Sequence, residues 1–179
     1  MKKFSIILAI DEKNGLGKGG DLAWKIPGDM KYFRETTSKI DDLAKYNAVV
    51  MGRKTWESIP SKFRPLPDRI NCILSRTLKY EDMHSKIDNF VLHFKDFDNC
   101  LTELSERENV ENIFVIGGAN IYNQVLNHPN LEKIYITKVL GNFNCDVFFD
   151  GVPSDFHIKS YTDEEEENGV KYRFEVWGR

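Results

Sequence analysis

The chain alternates short apolar runs with segments whose apolar residues recur at helical spacing. The apolar runs predict buried strands at 4–10, 47–51, 70–74, 90–93, 113–116 and 133–140. Four helices are predicted among them, one after Pro27-Gly28 and the others over 52–59, 96–108 and 118–126. Strands that alternate with helices predict an α/β fold with a mostly parallel sheet and helices on both faces.

The C-terminal part of the chain has a different pattern. Residues 156–161 and 170–177 flank an acidic turn at 164–169, which predicts an antiparallel ribbon at the edge of the sheet. No internal repeat, low-complexity tract or interdomain linker interrupts the 179 residues. A length in the range of one typical domain therefore predicts a single domain over 1–179.

Composition narrows the class of protein. Lysine and arginine number 25 and aspartate and glutamate 28, so the net charge of −3 gives no basic face for nucleic acid. The longest strictly apolar run, at 6–10, is too short to cross a membrane, and no cleavage site for a signal peptide follows it. Three scattered cysteines lack metal-binding spacing and suit a reducing compartment. We therefore expect a cytoplasmic protein with no metal, membrane or nucleic-acid partner.

Cationic residues and glycines cluster where predicted strands end. Arg53 and Lys54 follow a strand and a glycine, in the first turn of a predicted helix, where positive charge opposes the helix dipole. An anion held between them would remove this conflict; the alternative is a pair of solvated surface charges. Ser75-Arg76-Thr77 ends another strand, and Gly117-Gly118, which is alternatively a tight packing turn, ends a third. Because ligands of open α/β sheets bind at the carboxyl ends of strands, these ends together predict a polyphosphate or dinucleotide site.

Two further features lie near the N-terminus. The loop at 15–20 contains four glycines but leads to no helix at the distance of a dinucleotide fingerprint, so it is predicted to be a flexible lid. Asp29 shares a helical side with Met30 and Phe33, and a carboxylate against an apolar wall is costly without a partner. Asp29 is therefore either a buried acid with a raised pKa that awaits a ligand or a first-turn acid stabilised by the helix dipole.

Six segments carry a family resemblance. They are LAWKIPGD at 22–29, MGRKTWESI at 51–59, RPLP at 64–67, ILSR at 73–76, VIGGANIY at 115–122 and IYIT at 134–137. In this order and spacing they resemble the dihydrofolate reductase family over residues 4–177, and WESIPSKFRPL at 56–66 is most similar to its eukaryotic and protozoan branches. The resemblance implies a single domain with a mixed eight-stranded sheet, mostly parallel with an antiparallel C-terminal ribbon, flanked by about four helices.

The resemblance also implies a reaction. Members of this family reduce 7,8-dihydrofolate to 5,6,7,8-tetrahydrofolate with NADPH, by hydride transfer from nicotinamide C4 to pterin C6. Asp29 would hold the pterin and promote protonation of its N5, and Trp24 and Thr137 would complete the catalytic set by ordering water and bracing this acid. Dihydrofolate and antifolate inhibitors are the implied partners of a chain that is expected to be monomeric unless it belongs to a bifunctional protein.

The implied binding residues fall into two sets. The substrate set is Ile7, Asp29, Met30, Phe33, Ser58, Ile59, Leu66, Arg69, Ile116, Tyr122 and Thr137. The cofactor set is Ala9, Leu16, Gly17, Lys18, Gly19, Gly20, Asp21, Leu22, Gly52, Arg53, Lys54, Thr55, Leu74, Ser75, Arg76, Gly117, Gly118, Ala119, Asn120, Ile121 and Tyr122. Without the resemblance, the sequence pattern alone would favour a different interpretation, in which Phe33, Ile59 and Leu66 belong to the hydrophobic core and Arg69 is a surface charge. We also expect a cis peptide between the two glycines at 117–118, since they lack Cβ atoms that would clash.

The sequence departs from the family pattern at two positions. Ala23 stands where the family usually has proline before the tryptophan, and Ala119 replaces a frequent third small residue. No role is assigned to residues 40–46, and the sequence leaves open whether the chain is complete or one domain of a reductase–synthase. Two other functions stay open: a related NADPH-dependent reductase of pteridines or riboflavin precursors, and a non-catalytic nucleotide-binding module.

Overall fold

The computed structural model describes residues 1–77 and 89–179. Within these residues, the α-helices are α1 (Pro27–Ser38), α2 (Arg53–Ser58), α3 (Phe97–Glu106) and α4 (Ala119–Val125), and a 3-10 turn lies at Ser61–Phe63. The strands are β1 (Phe4–Ile10), β2 (Gly15–Gly17), β3 (Tyr46–Gly52), β4 (Arg69–Leu74), β5 (Val91–Phe94), β6 (Val110–Gly117), β7 (Leu131–Val139), β8 (Val147–Phe148), β9 (His157–Tyr161), β10 (Glu165–Glu167) and β11 (Val170–Gly178).

The main sheet is mixed and mostly parallel, as predicted. Its strands run in the order β5-β4-β3-β6-β1-β7-β11, and β9 and β10 share the eighth position because they pair with different halves of the outer edge of β11. All neighbours from β5 to β7 are parallel, whereas β11 is antiparallel to β7, β9 and β10. The carboxyl ends of β6, β3 and β4 therefore lie side by side, which brings together the three strand ends singled out in the sequence.

The C-terminal ribbon is tighter than the sequence pattern indicates. Residues 164–169 are predicted as a turn, but Glu165–Glu167 form β10, and the chain reverses at Asn168-Gly169. Both turn residues have positive φ, 51° for Asn168 and 74° for Gly169. Asn-Gly is the dipeptide that favours a two-residue hairpin turn, and this local preference outweighs the poor strand propensity of three glutamates.

The core lies on both faces of the sheet. On one face, α3 buries Phe97, Cys100, Leu101 and Leu104 against the central strands. A second cluster on the α1 and α2 side contains Ile7, Met51, Trp56 and Phe114, with partly buried aromatic and aliphatic residues around it. The described residues contain no helix that is long and apolar enough to cross a membrane.

Candidate active site

Asp29 lies in the first turn of α1, where it contacts β7. Its Oδ1 accepts a hydrogen bond of 2.6 Å from Thr137 Oγ1, and Thr137 is buried in the sheet. Burial raises the pKa of Asp29, and the Thr137 hydrogen bond offsets only part of this effect. Of the two interpretations of Asp29, the buried acid with a raised pKa is therefore the one that the geometry supports.

Trp24 lies in a buried cluster with Ile26, Val139 and Tyr172. Its ring packs edge to face against Phe143, with 5.4 Å between ring centroids. The indole Nε1 is buried and has no hydrogen-bond partner among the residues that the structure describes. A buried N–H donor without a partner is rare in folded proteins and indicates a polar group for a ligand or water.

Several residues of the predicted substrate set pack on the α1 and α2 side of the core. Phe33, Ile59, Leu66 and Ile116 are partly buried around the cluster that contains Ile7. Met30, in contrast, is 58% exposed, so the side of α1 next to Asp29 is less enclosed than the sequence pattern indicates. Ser58 is also exposed, and its hydroxyl donates to the carbonyl of Thr55 at 2.6 Å.

Tyr122 connects α4 to the middle of β1. Its hydroxyl donates to the carbonyl oxygen of Ile7 at 2.8 Å, and both residues are buried. Burial raises the pKa of Tyr122, and the nearby charge of Asp29 adds to the rise. The carbonyl that the resemblance offers to the pterin thus already has a donor, and Tyr122 lies close to Asp29.

Arg69 is buried rather than exposed, which makes its interpretation as a surface charge wrong. It is 2% exposed, and its guanidinium donates to the Pro67 carbonyl and to Thr37 Oγ1, both at 2.8 Å. Burial lowers the pKa of Arg69, and no carboxylate within residues 1–77 or 89–179 lies at ion-pair distance from it. Asn71 holds the preceding loop by accepting from the N–H of Leu66 at 2.8 Å. A buried cation in this setting is suited to a carboxylate ligand.

The starts of α2 and α4 meet at the predicted cofactor side. Met51 pairs with Gly117 across β3 and β6, and a Cβ on Gly118 would lie 3.4 Å from Thr55 Oγ1. The peptide between Gly117 and Gly118 is cis, as predicted, and Gly117 has a φ of 124°, which favours glycine. Ala119, Asn120 and Ile121 follow in α4. The glycines therefore allow two backbone segments to approach each other closely.

Cationic residues follow the neighbouring strand ends of β3 and β4. Arg53 forms an ion pair with Glu57 at 2.7 Å and donates to Thr77 Oγ1 at 3.2 Å, so a neighbour one turn along the helix already balances part of its charge. Lys54 and Arg76 are exposed.

Ser75 follows Leu74 at the end of β4, and the Thr77 N–H donates to the Ser75 hydroxyl at 3.2 Å. Thr77 belongs to this hydrogen-bonded group, although the predicted cofactor set does not include it. The sequence feature that points to Thr77 is its position in the polar strand end Ser75-Arg76-Thr77.

Strand pairing and hydrogen bonds hold the glycine-rich loop, which is predicted to be a flexible lid, at several points. Its first part forms β2, which pairs with β8, and Lys18 and Asp21 form an isolated bridge. Gly19 N donates to Asp146 Oδ2 at 2.9 Å. Leu16 packs partly on the core, whereas Leu22 is 51% exposed. Ala9 pairs with Thr137 across β1 and β7, so the base of the loop lies near Asp29.

Comparison with known proteins agrees with this geometry. A family model described as dihydrofolate reductase matches residues 3–179. The dihydrofolate reductase of Drosophila melanogaster is 38% identical over 181 residues, which cover 98% of this chain and 97% of that protein. The dihydrofolate reductase of Sus scrofa is 35% identical over 193 residues, which cover 99% of this chain and 98% of that protein. A putative bifunctional dihydrofolate reductase-thymidylate synthase of Oryza sativa subsp. japonica is 43% identical over 164 residues, and the match covers 33% of it.

The chain belongs to the dihydrofolate reductase family. It is accordingly an enzyme with dihydrofolate reductase activity that binds dihydrofolate and uses NADPH. The alternatives of a pteridine or riboflavin-precursor reductase and of a non-catalytic nucleotide-binding module are excluded by these full-length matches.

Three residues of this dihydrofolate reductase were missed as contributors to the site. Asp11 accepts from the N–H groups of Lys13 and Gly15, both at 2.8 Å, and its other oxygen accepts from Phe143 N at 3.2 Å. Asp146 holds the loop at Gly19, and Phe143 packs on Trp24. The contact of Asp11 with Phe143 spans 132 positions and that of Asp146 with Gly19 spans 127, so local sequence pattern gives no sign of them.

Proposed function

We propose that Asp29 is the residue that promotes protonation of pterin N5 during reduction of dihydrofolate. The observation that carries the proposal is the Asp29–Thr137 hydrogen bond of 2.6 Å, on the side of the sheet where partly buried apolar residues would form the substrate cleft. Thr137 fixes Oδ1, which leaves Oδ2 to accept from the amino group and ring N–H of the pterin. Because burial raises the pKa of Asp29, the carboxyl keeps a proton at higher pH than an exposed aspartate does.

Trp24 is proposed as the second catalytic residue of this site. Its buried Nε1 would donate to a polar atom of the ligand or to a water that bridges to Asp29. A water fixed between these groups offers a path by which a proton reaches N5 without opening the cleft to solvent. Thr137 and Trp24 thus act on the orientation of the acid and of its water.

Arg69 and the apolar cleft are proposed to bind the rest of the substrate. Phe33, Ile59 and Leu66 present the partly buried faces on which the pterin and benzoyl rings would pack. The buried guanidinium of Arg69 would then receive the α-carboxylate of the glutamate as its ionic partner. We propose that antifolate inhibitors occupy the same cleft.

The predicted cofactor residues fit a dinucleotide that carries phosphates. Glycine at 118 leaves the space next to Thr55 Oγ1 that a Cβ would occupy, and Lys54 and Arg76 present exposed cations on the same side. Arg53, Ser75 and Thr77 form a hydrogen-bonded group next to Arg76 in sequence, and Arg76 would hold the 2′-phosphate together with this group. When bound, NADPH supplies the hydride that pterin C6 accepts.

Two finer properties belong to the same proposal. We propose that the enzyme works as a monomer, since the residues assigned to substrate and cofactor all come from one chain. We also propose a cytoplasmic location, which the three free cysteines support, two of them buried.

The decisive test is the loss of NADPH absorbance on addition of 7,8-dihydrofolate. The wild-type protein should turn over, and Asp29→Asn should turn over roughly 10²–10⁴-fold more slowly at neutral pH while its NADPH affinity is unchanged. Asp29→Glu, which keeps a carboxyl group, is the matched variant and should retain most of the rate. A rate near that of the wild type for Asp29→Asn at pH 8 would contradict the assignment.

A further inference from the structure

The hairpin of β10 and β11 contacts the start of α1, the helix that carries Asp29. Gly28 N donates to Glu167 Oε1 at 2.9 Å, and the hydroxyl of the buried Tyr172 donates to the same oxygen. The Tyr172 hydroxyl also lies 2.9 Å from Glu165 Oε2. Because a hydroxyl has one proton to donate, Glu167, which also receives the helix N–H, is the main acceptor of this group.

This contact satisfies a group that the helix itself leaves without a partner. The first N–H groups of an α-helix have no acceptor within the helix, and Ile26 at the N-cap provides no side-chain acceptor. Glu167 supplies one from another element, and its negative charge suits the positive end of the helix dipole. A Cβ on residue 28 would overlap both Glu167 Oε1 and the Tyr172 hydroxyl, so the helix start lies directly against the hairpin.

The same strand holds α1 at a second point and also adjoins Thr137. Tyr32 of α1 stacks on Phe174 of β11, with 3.9 Å between ring centroids and 18° between ring planes. Phe174 in turn pairs with Thr137 across β11 and β7. The hairpin therefore contacts both the helix that carries Asp29 and the strand residue Thr137, and it sets where the helix start lies relative to β7.

We infer that Glu167 is a positioning residue for dihydrofolate reduction, which fixes the start of α1 so that Asp29 keeps its place against Thr137. The inference rests on the proposed role of Asp29. A displacement of about 1 Å in a catalytic group can cost about 10²-fold in rate. Loss of the Gly28 contact therefore has a kinetic consequence, although Glu167 touches neither reacting group.

The test compares Glu167→Ala and Glu167→Gln with Glu166→Ala. Glu166 is exposed and lies on the opposite face of the same strand, so it is the matched control. Glu167→Ala should slow the single-turnover hydride step by about tenfold or more, with NADPH affinity unchanged. Glu167→Gln keeps an oxygen that accepts from Gly28 N, so it should stay within about threefold of the wild type, as should Glu166→Ala. If Glu167→Ala does not fold, Glu167→Asp replaces it, because it keeps the charge but is one methylene too short.

Two outcomes would overturn the inference. The first is a hydride rate equal to that of the wild type in a folded Glu167→Ala or Glu167→Asp variant, whatever its Tm, since Glu167 would then only stabilise the fold. The second concerns the Asp29→Asn background, in which Glu167→Ala should change the rate less than about twofold if it acts through Asp29. A full additional loss there would show that Glu167 acts by another route. The proposed function fails separately, if Asp29→Asn alone keeps the wild-type rate.

Discussion

Asp29 combines a functional requirement with a cost in stability. Its carboxyl group is partly buried beside Thr137, and this burial disfavours the charged form. A proton held at higher pH serves the reduction, but the same environment makes the ionised enzyme less stable than an enzyme with a neutral residue at this position. Active-site residues commonly reduce the stability of the fold in this way.

Because ionised Asp29 lowers the stability of the fold, we predict that Asp29→Asn is more stable than the wild type and that this gain depends on pH. Because its pKa is raised on folding, the native state binds more protons than the unfolded chain, and stability falls as pH rises above the unfolded pKa of about 3.9. Asn also accepts from Thr137 Oγ1 but does not ionise. The variant should therefore have a higher Tm than the wild type at pH 8, and the difference should vanish at about pH 3. A lower Tm at pH 8 would contradict the raised pKa.

Arg76 is predicted to distinguish NADPH from NADH. It is exposed next to Ser75, which hydrogen bonds to the Thr77 N–H. Loss of a charge-assisted contact costs about 1.5–3 kcal/mol, so Arg76→Ala should weaken NADPH binding roughly 10–150-fold and leave NADH binding nearly unchanged. Titrations of both nucleotides check this, with Lys159→Ala on β9, at the opposite edge of the sheet, as the control. Equal losses for the two cofactors would show that Arg76 does not contact the 2′-phosphate.

At the scale of elements, Asp11 joins three segments around the site. Its carboxylate holds the start of the glycine-rich loop at Gly15 and the segment that begins at Phe143, and Phe143 packs on Trp24. Burial alone would raise its pKa, but the backbone N–H donors outweigh this effect and hold the pKa of Asp11 below its usual range. The ionised side chain therefore stabilises the folded state.

Asp11→Asn should destabilise the enzyme by about 1–3 kcal/mol at pH 7, because its amide group would face N–H donors. A depressed pKa gives stability that is present above the unfolded pKa of about 3.9 and is lost as pH falls through the folded value. The difference between variant and wild type, measured by urea unfolding, should accordingly shrink as pH falls below about 4. Asp163→Asn, an exposed replacement of the same kind, should match the wild type at every pH. A constant difference across this range would contradict the role of the ionised form.

The sequence predicts the elements that nearby residues determine, but not the features that depend on contacts between distant segments. The buried strands and the helix after Pro27 follow from apolar periodicity and proline, which act within a few residues, and all of them are present. The glycine-rich loop, in contrast, makes a hydrogen bond from Gly19 to Asp146, 127 positions away. The contact of Gly28 with Glu167 likewise spans 139 positions. Only the folded chain brings such partners together, so the sequence alone predicts a mobile loop and an acidic turn.

The same reasoning applies to the candidate site. Asp29, Arg53 and the Gly117-Gly118 pair break local rules, and these violations mark a site without any knowledge of the fold. Arg69 breaks no local rule, because an arginine before an apolar run is ordinary at a surface. Its burial arises from the packing of Thr37 and Pro67 around it, and the sequence pattern does not contain that information.

At the scale of the molecule, the sheet order gathers the cofactor residues from three adjacent strand ends. β6, β3 and β4 are neighbours, and each is followed by residues suited to phosphate. A ligand across these ends is bound by the folded chain and not by the unfolded one, so it stabilises the whole domain.

NADPH should therefore raise the Tm of the enzyme. At a concentration of about 100 times its Kd, the stabilisation is about 2.7 kcal/mol, which corresponds to roughly 5–10 °C for a domain of this size. NADH at the same concentration should give a smaller shift, because it lacks the 2′-phosphate. Thermal unfolding with each nucleotide measures both effects, and equal shifts would contradict the predicted preference.

The pH dependence of the hydride step tests the account most directly. Single turnovers of the NADPH-bound enzyme with dihydrofolate should be fast at low pH and should slow as pH rises through the raised pKa of Asp29. Asp29→Asn should be slow at pH 8 and should recover only in part as pH falls, since the substrate then takes its proton from solution. A variant with the rate and pH profile of the wild type would show that Asp29 does not control protonation of N5.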